Sequence, residues 1–276
     1  MFQRWISQSV VLVALTAAVF TAQSTRADTV LITGANAGLG LEFVKEYAEK
    51  GWDVIATHRR SDVPESLAAI VRDHPKVKVE RMDVADLASI KALATKLKGV
   101  PIDVLINNAG IYSDRSGCQT ENCGGKAGKQ ALGSMDYDLF DMTMAINVRG
   151  SIAVSEAFID NVRASKQKKI IAMGSTNGSL TQPLEGSGGI AYRSSKAALH
   201  RAMQLVALEE KPQGVIVVVM HPGAVLTDRQ LNLFGDGYPG VISPEKSVSG
   251  MIKQIARFTL DDAGHFIQWD GAVAPW

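Results

Sequence analysis

Between Thr29 and Gly110, short β-branched and apolar runs alternate with segments of helical period, and few folds tolerate that order. The first run is Thr29-Val30-Leu31-Ile32; others cover 53–58, 77–82 and 102–106. Helix-patterned stretches follow the first three. One reaches about Lys50, one covers 64–74, and one begins at Asp86, whose carboxylate suits a helix cap. Parallel strands need crossover connections of this kind, whereas antiparallel neighbours can be joined by tight turns. The alternation therefore predicts an α/β domain built on a doubly wound sheet. Later runs at 169–173, 214–219 and 264–268 bring the expected sheet to seven strands, mostly parallel.

The first run ends in Thr33-Gly34-Ala35-Asn36-Ala37-Gly38-Leu39-Gly40, and a helical pattern starts there. A strand, a glycine turn and a helix N-terminus together form a pyrophosphate cradle. Gly34 permits the tight turn, Gly38 lets the backbone approach a ligand, and Gly40 allows close packing of helix on strand. The expectation is one Rossmann-type domain over 27–276 that binds a dinucleotide. The second run ends at His58, followed by Arg59 and Arg60. An acid at this place would bind the ribose hydroxyls of NAD(H). Cations in its place fit a 2′-phosphate, so NADP(H) is preferred and NAD(H) is left open.

Tyr192 and Lys196 stand four apart in Tyr192-Arg193-Ser194-Ser195-Lys196, which opens a helical stretch. That spacing puts both on one helical face. An ammonium beside a phenol favours the phenolate and makes the tyrosine a workable acid or base near neutral pH. With Thr-Gly-x-x-x-Gly-x-Gly after the first strand, Asp83-Val84 after the third and Asn107-Asn108-Ala109-Gly110 after the fourth, the chain resembles the short-chain dehydrogenase/reductase family. The match runs from about Thr29 to the end of the sequence. The ending 270–276 and the surroundings of Tyr192 are similar to the C-factor/Sniffer-like subgroup.

The resemblance implies an oxidoreductase that moves a hydride between a nicotinamide and a carbonyl or secondary alcohol. It implies Tyr192 as general acid/base and Lys196 as its electrostatic partner and ribose ligand. Asn147, in Ile-Asn-Val-Arg-Gly, would interrupt a helix and relay protons to the lysine. Ser175 would hydrogen-bond the reacting oxygen. Ser175 matches by its place after the fifth strand, whereas Ser179 matches by its distance from Tyr192; Ser175 is preferred. The cofactor wall would comprise Gly34, Asn36, Gly38, Leu39, Gly40, His58, Arg59, Asp83, Val84, Asn107, Asn108, Ala109 and Gly110. Tyr192, Lys196, Pro222, Gly223, Val225 and Thr227 would complete it. Dimers or tetramers are usual in the family. The alternative is a cofactor-binding signalling or sensor protein with little turnover.

Hydrophobic residues make up 46% and charged residues 21%, which suits a folded core rather than disorder. The net charge of +1 gives no reason to expect a nucleic-acid partner. Five scattered histidines and two cysteines offer no metal cluster. Arg4 followed by the apolar stretch Val10 to Ala22 and small residues reads as a signal peptide or anchor over 1–26. The stretch is shorter than the roughly 20 residues a spanning helix needs. Cleaved, it implies export to a periplasm or secretory lumen; otherwise the domain is cytoplasmic. Cys118 and Cys123 could close a disulfide in an exported protein. Leu231, Leu233, Phe234 and Tyr238, among glycines, suit a lid over an apolar small-molecule substrate.

Overall fold

The computed structural model describes residues 26–112, 130–183, 189–227 and 240–276. Residues 1–25 of the expected signal segment, Cys118 with Cys123, and residues 228–239 of the expected lid over 228–243 lie outside the described residues.

Seven strands form one sheet in the order β3-β2-β1-β4-β5-β6-β7. They are β1 (Thr29–Ile32), β2 (Asp53–His58), β3 (Val77–Arg81), β4 (Val104–Asn107), β5 (Lys169–Met173), β6 (Ile216–His221) and β7 (Phe266–Gln268). Every neighbouring pair is parallel, so the sheet is wholly and not just mostly parallel. The winding reverses between β1 and β4. In an open α/β sheet, such a reversal opens a ligand crevice at the carboxyl ends of the strands.

Helices cover both faces, which is why β1 and β4 are buried at every position. On one face, α1 (Gly38–Glu49) contributes Phe43, Val44 and Tyr47, and α7 (Pro244–Arg257) contributes Val248, Met251 and Ile255. α2 (Glu65–Asp73) adds Leu67. On the other face lie α3 (Leu87–Lys96), α5 (Ser151–Arg163) and α6 (Ile190–Glu210). Their Ile90, Phe158, Leu199 and Met203 pack under Leu105, Ile170 and Val217. Each such side chain is worth about 1.5–3 kcal/mol when fully buried.

Asp86 caps α3 by accepting from Ala88 N–H, as its position predicts. Two strands differ from expectation. Gly214 takes φ 77° and Gly264 φ 87°, left-handed values that close turns. β6 therefore begins at Ile216 and extends to His221, and β7 begins at Phe266. The long helical stretch before β5 is interrupted. α4 (Tyr137–Met144) runs into a π-helical turn, Ala145–Gly150, and then into α5.

Candidate active site

Three turns meet at the β1/β4 crevice. Thr33 Oγ1 accepts from the backbone N–H groups of Asn108 (3.0 Å) and Ala109 (2.9 Å). Asn108 Nδ2 donates back to the carbonyls of Thr33 (2.9 Å) and Gly34 (3.2 Å). The glycine turn and the turn after β4 are thus one stitched unit. Gly34 has φ 65°, and a Cβ on it would lie 2.9 Å from Ala109 Cα. A Cβ on Gly40 would collide with the Gly34 carbonyl oxygen. Both glycines are required by close approach and not merely tolerated.

The N-terminus of α1 is shaped for an anion. Its capping position is Ala37, which offers no side-chain cap, whereas α3, α4 and α7 are capped by Asp86, Asp136 and Ser243. Orphan N–H groups and the positive end of the helix dipole face the crevice there. Leu39 is half-buried beside it, and the Asn36 carbonyl accepts from Ser66 Oγ. From the far side, Thr227 Cγ2 comes within 3.4 Å of where a Gly38 Cβ would sit. Val225 bridges to Ile242, and the Pro222 carbonyl accepts from Ser247 Oγ. Gly223, at φ 86°, leaves room for Trp269. The segment 222–227 therefore forms the opposite wall of the same crevice.

At the end of β2, His58 is buried, and burial together with Arg60 and Arg81 lowers its pKa. Its neutral form is favoured. Arg59 and Arg60 are exposed just beyond it, and the first carboxylate after the strand, Asp62, comes only after both and accepts from Ser61 Oγ. Asp83 turns β3 toward α3 by accepting from Ala85 N–H. The Val84 carbonyl would lie 2.8 Å from a Cβ on Gly150, so the π-turn packs directly on this loop.

The second half of the crevice is built on α6. Lys196 is buried, and its Nζ donates to the Met173 carbonyl at 2.7 Å. Nζ stands 5.7 Å from the centre of the Tyr192 ring. Burial lowers the Lys196 pKa to about 8. Asn147 lies in the π-turn with its side chain fully engaged. Oδ1 accepts from Ile111 N–H, while Nδ2 donates to the Ile111 carbonyl and to Ser195 Oγ. A Cβ on Gly110 would sit 3.4 Å from Asn147 Oδ1 and 3.7 Å from Lys196 Nζ. Asn147, Lys196 and the turn after β4 thus converge on one point. Asn107 lies below it, donating to Ser155 Oγ, with its Oδ1 buried and unpartnered.

Ser175 and Ser179 flank a short 3₁₀ turn that packs on α6. A Cβ on Gly178 would collide with Lys196 and Ala197 backbone at 2.6–2.7 Å. Ser175 Oγ accepts from Asn177 N–H. Ser179 Oγ accepts from two amides, Thr181 and Gln182. Ser175 follows Met173 by two residues, next to the carbonyl that holds Lys196.

A family model described as short chain dehydrogenase matches residues 28–236. The chain belongs to the short-chain dehydrogenase/reductase family. It is 33% identical over 187 residues to C-signal of Myxococcus xanthus, a match covering 68% of this chain and 100% of that one. This agrees with the subgroup that the sequence resembles. It is 31% identical over 252 residues to 1-hydroxy-2-glutathionyl-2-methyl-3-butene dehydrogenase of Rhodococcus sp. (strain AD45), covering 90% of this chain and 100% of that one. Among solved structures, NADPH-bound carbonyl reductase from chicken fatty liver superposes with a TM-score of 0.79 at 28% identity. That match covers 91% of this chain and 100% of the other.

Three residues of this short-chain dehydrogenase shape the site without having been singled out from its sequence. Thr33 stitches the two turns. Gln130 is fully buried and bonds to both sides of the crevice mouth. His200 accepts from Ser175 N–H at 3.2 Å through Nε2 and packs against Phe266 and Trp276. Burial, with Lys196 and then His221 nearby, lowers the His200 pKa to about 3, which keeps it a neutral acceptor. His200 had a weak sequence signal, since it continues the four-residue spacing of Tyr192 and Lys196. Gln130 had none. A separate cavity of about 730 Å³, lined by Tyr47, Trp52, Lys169 and Phe258, lies at the amino ends of β5 and β6. It is at the opposite end of the strands from the Lys196 cluster.

Proposed function

We propose that the protein is an NADP(H)-dependent oxidoreductase acting on a small carbonyl compound or the corresponding secondary alcohol. The observation that carries this reading is the convergence of Lys196, Asn147 and Gly110 beside the Tyr192 ring, at the mouth of a crevice with an uncapped helix N-terminus. The intact cluster favours turnover over a role in binding alone.

Hydride donation or acceptance is what a bound nicotinamide would contribute. The residues do the rest. Gly34, Gly38, Leu39 and Gly40 would hold the pyrophosphate on the N-terminus of α1. Asn36, Asp83 and Val84 would border the adenosine, with Arg59 and Arg60 on the 2′-phosphate. Ala109, Gly110, Pro222, Gly223, Val225 and Thr227 would wall the nicotinamide end. Tyr192 gives a proton to the carbonyl oxygen as charge grows there, or takes one from the alcohol. Ser175 gives that oxygen a second hydrogen bond. Ser175 is preferred over Ser179 because it follows Met173, whose carbonyl holds Lys196, by two residues. The charge of Lys196 favours the phenolate, and Asn147 fixes the backbone at Ile111 beside it.

Relatives support this reading: one is a dehydrogenase and one is an NADPH-bound carbonyl reductase. The test is a titration of the full chain with NADPH and with NADH, followed by nicotinamide fluorescence. NADPH should bind at least tenfold more tightly. Replacing both Arg59 and Arg60 with alanine should remove most of that difference while sparing NADH. Equal binding of the two nucleotides by the wild type would overturn the NADP(H) assignment.

A further inference from the structure

The helix that carries Tyr192 does not cap itself. Its N-terminal flanking residue is Gly189, left-handed at φ 68°, which has no side chain to offer. A space-based need for glycine is absent there, because the nearest atoms to a Cβ would be 3.5 Å away or more. The backbone conformation selects glycine, and the cost is an uncapped helix. The first intrahelical bond closes only at Arg193 N–H, onto the Gly189 carbonyl.

The missing cap comes from Gln130, a residue remote in sequence. Its backbone carbonyl accepts from Ile190 N–H at 3.0 Å. Its side-chain Oε1 accepts from Tyr192 N–H at 3.0 Å. Two of the orphan donors in the first turn of α6 are thereby satisfied by one residue. The amide nitrogen of the same side chain donates to the Tyr112 carbonyl at 2.6 Å. Gln130 is 0% exposed, so water cannot replace these bonds. The ring of Tyr112 in turn leans on the ring of Tyr192, with centres 4.7 Å apart and planes tilted by 55°.

We propose that Gln130 is a positioning residue that caps α6 from outside and fixes the Tyr192 phenol against Tyr112. A glutamine suits this better than the short residues that usually cap helices, because it must reach across from a separate loop. Its amide also supplies an acceptor and a donor on one rigid plane. The proposal rests on the reading of Tyr192 as general acid/base, and it adds the element that sets where the phenol stands.

The test compares Gln130→Met, which keeps the length and removes both bonds, with Gln130→Glu, which keeps the acceptor toward Tyr192 N–H. Two readouts are taken on the full chain. One is amide hydrogen exchange of the peptide that spans Ile190 to Arg193. The other is kcat and KM for NADPH oxidation with the best substrate of a carbonyl panel. Leaving a buried N–H unsatisfied costs about 1–3 kcal/mol, or roughly 5- to 150-fold. Gln130→Met should speed exchange in the first turn of α6 by about that factor. It should lower kcat at least tenfold, with the NADPH dissociation constant within about twofold. Gln130→Glu, assayed at acidic pH where its buried carboxyl keeps the proton that replaces the amide donor to the Tyr112 carbonyl, should restore most of both.

Unchanged exchange in Gln130→Met would overturn the cap. Faster exchange with unchanged kcat would overturn the positioning role. Equal losses in both variants at that acidic pH would show that the acceptor is not what matters and would also overturn the proposal. If Gln130→Met does not fold, Gln130→Asn takes its place, since it withdraws the same amide by one methylene. The same outcomes then decide. A wild type that turns over no carbonyl would count against the proposed function, while the exchange data would still judge the cap.

Discussion

Lys196 shows what the site demands of a single residue. Its ammonium is buried, with Met173 as its carbonyl partner, and no carboxylate among the described residues pairs with it. Desolvation lowers its pKa from 10.5 to about 8. The unfolded chain keeps that proton up to about 10.5, while the folded chain releases it near 8. The unfolded state therefore binds more protons in that window, and stability rises with pH across it. Two and a half pKa units correspond to roughly 3 kcal/mol. Wild-type stability should thus gain about that much between pH 8 and 10.5 relative to Lys196→Met, measured by urea unfolding at each pH. Parallel stability curves for the two proteins would contradict the burial account. At this scale the sequence was legible where chemistry imposes a spacing. Tyr192 and Lys196 can share a helical face only at such intervals, and the structure places them together. Gln130 was not legible, because its role depends on a tertiary approach of two loops that no local pattern encodes.

The elements repeat this division. Strands were readable from β-branched and apolar runs because a sheet covered on both faces needs nothing else. Their ends were less so. Gly214 and Gly264 looked like strand residues, but their left-handed backbone places them in turns. The π-turn at Ala145–Gly150 was expected only as an interruption at Asn147, since a shift in hydrogen-bond register leaves the apolar period nearly intact. Its place follows from packing: Gly150 lets the turn sit against Val84, and Asn147 holds the strand-end at Ile111. The α1 turn makes a sharper demand. A methyl on Gly40 would collide with the Gly34 carbonyl and with Asn108 Nδ2 at 2.5 Å, both backbone-anchored. Gly40→Ala should cost about 1–3 kcal/mol in thermal or urea unfolding. It should weaken nucleotide binding by at least tenfold, because the same turn forms the cradle. A Gly40→Ala protein with wild-type stability and nucleotide affinity would show that this turn is not what shapes the pocket.

For the whole molecule, the strand order explains why distant parts of the chain meet. The reversal between β1 and β4 opens the crevice. β1 and β4 supply its two stitched turns, and β5, α6 and β6 supply the surroundings of Lys196 and the far wall. The helical layers bury the sheet and hold Lys196 and Asn147 away from water, so their charge and hydrogen bonds act with little screening. In the proposed mechanism, this architecture delivers a proton from Tyr192 to a carbonyl oxygen. The measurement that tests it most directly is NADPH oxidation by the full chain over a panel of aldehydes and ketones, wild type beside Tyr192→Phe. The account predicts turnover in the wild type. It predicts a loss of about 10²–10⁴-fold in the variant, the range typical of a positioned acid, with NADPH still bound. A Tyr192→Phe protein that keeps near-normal turnover would contradict it.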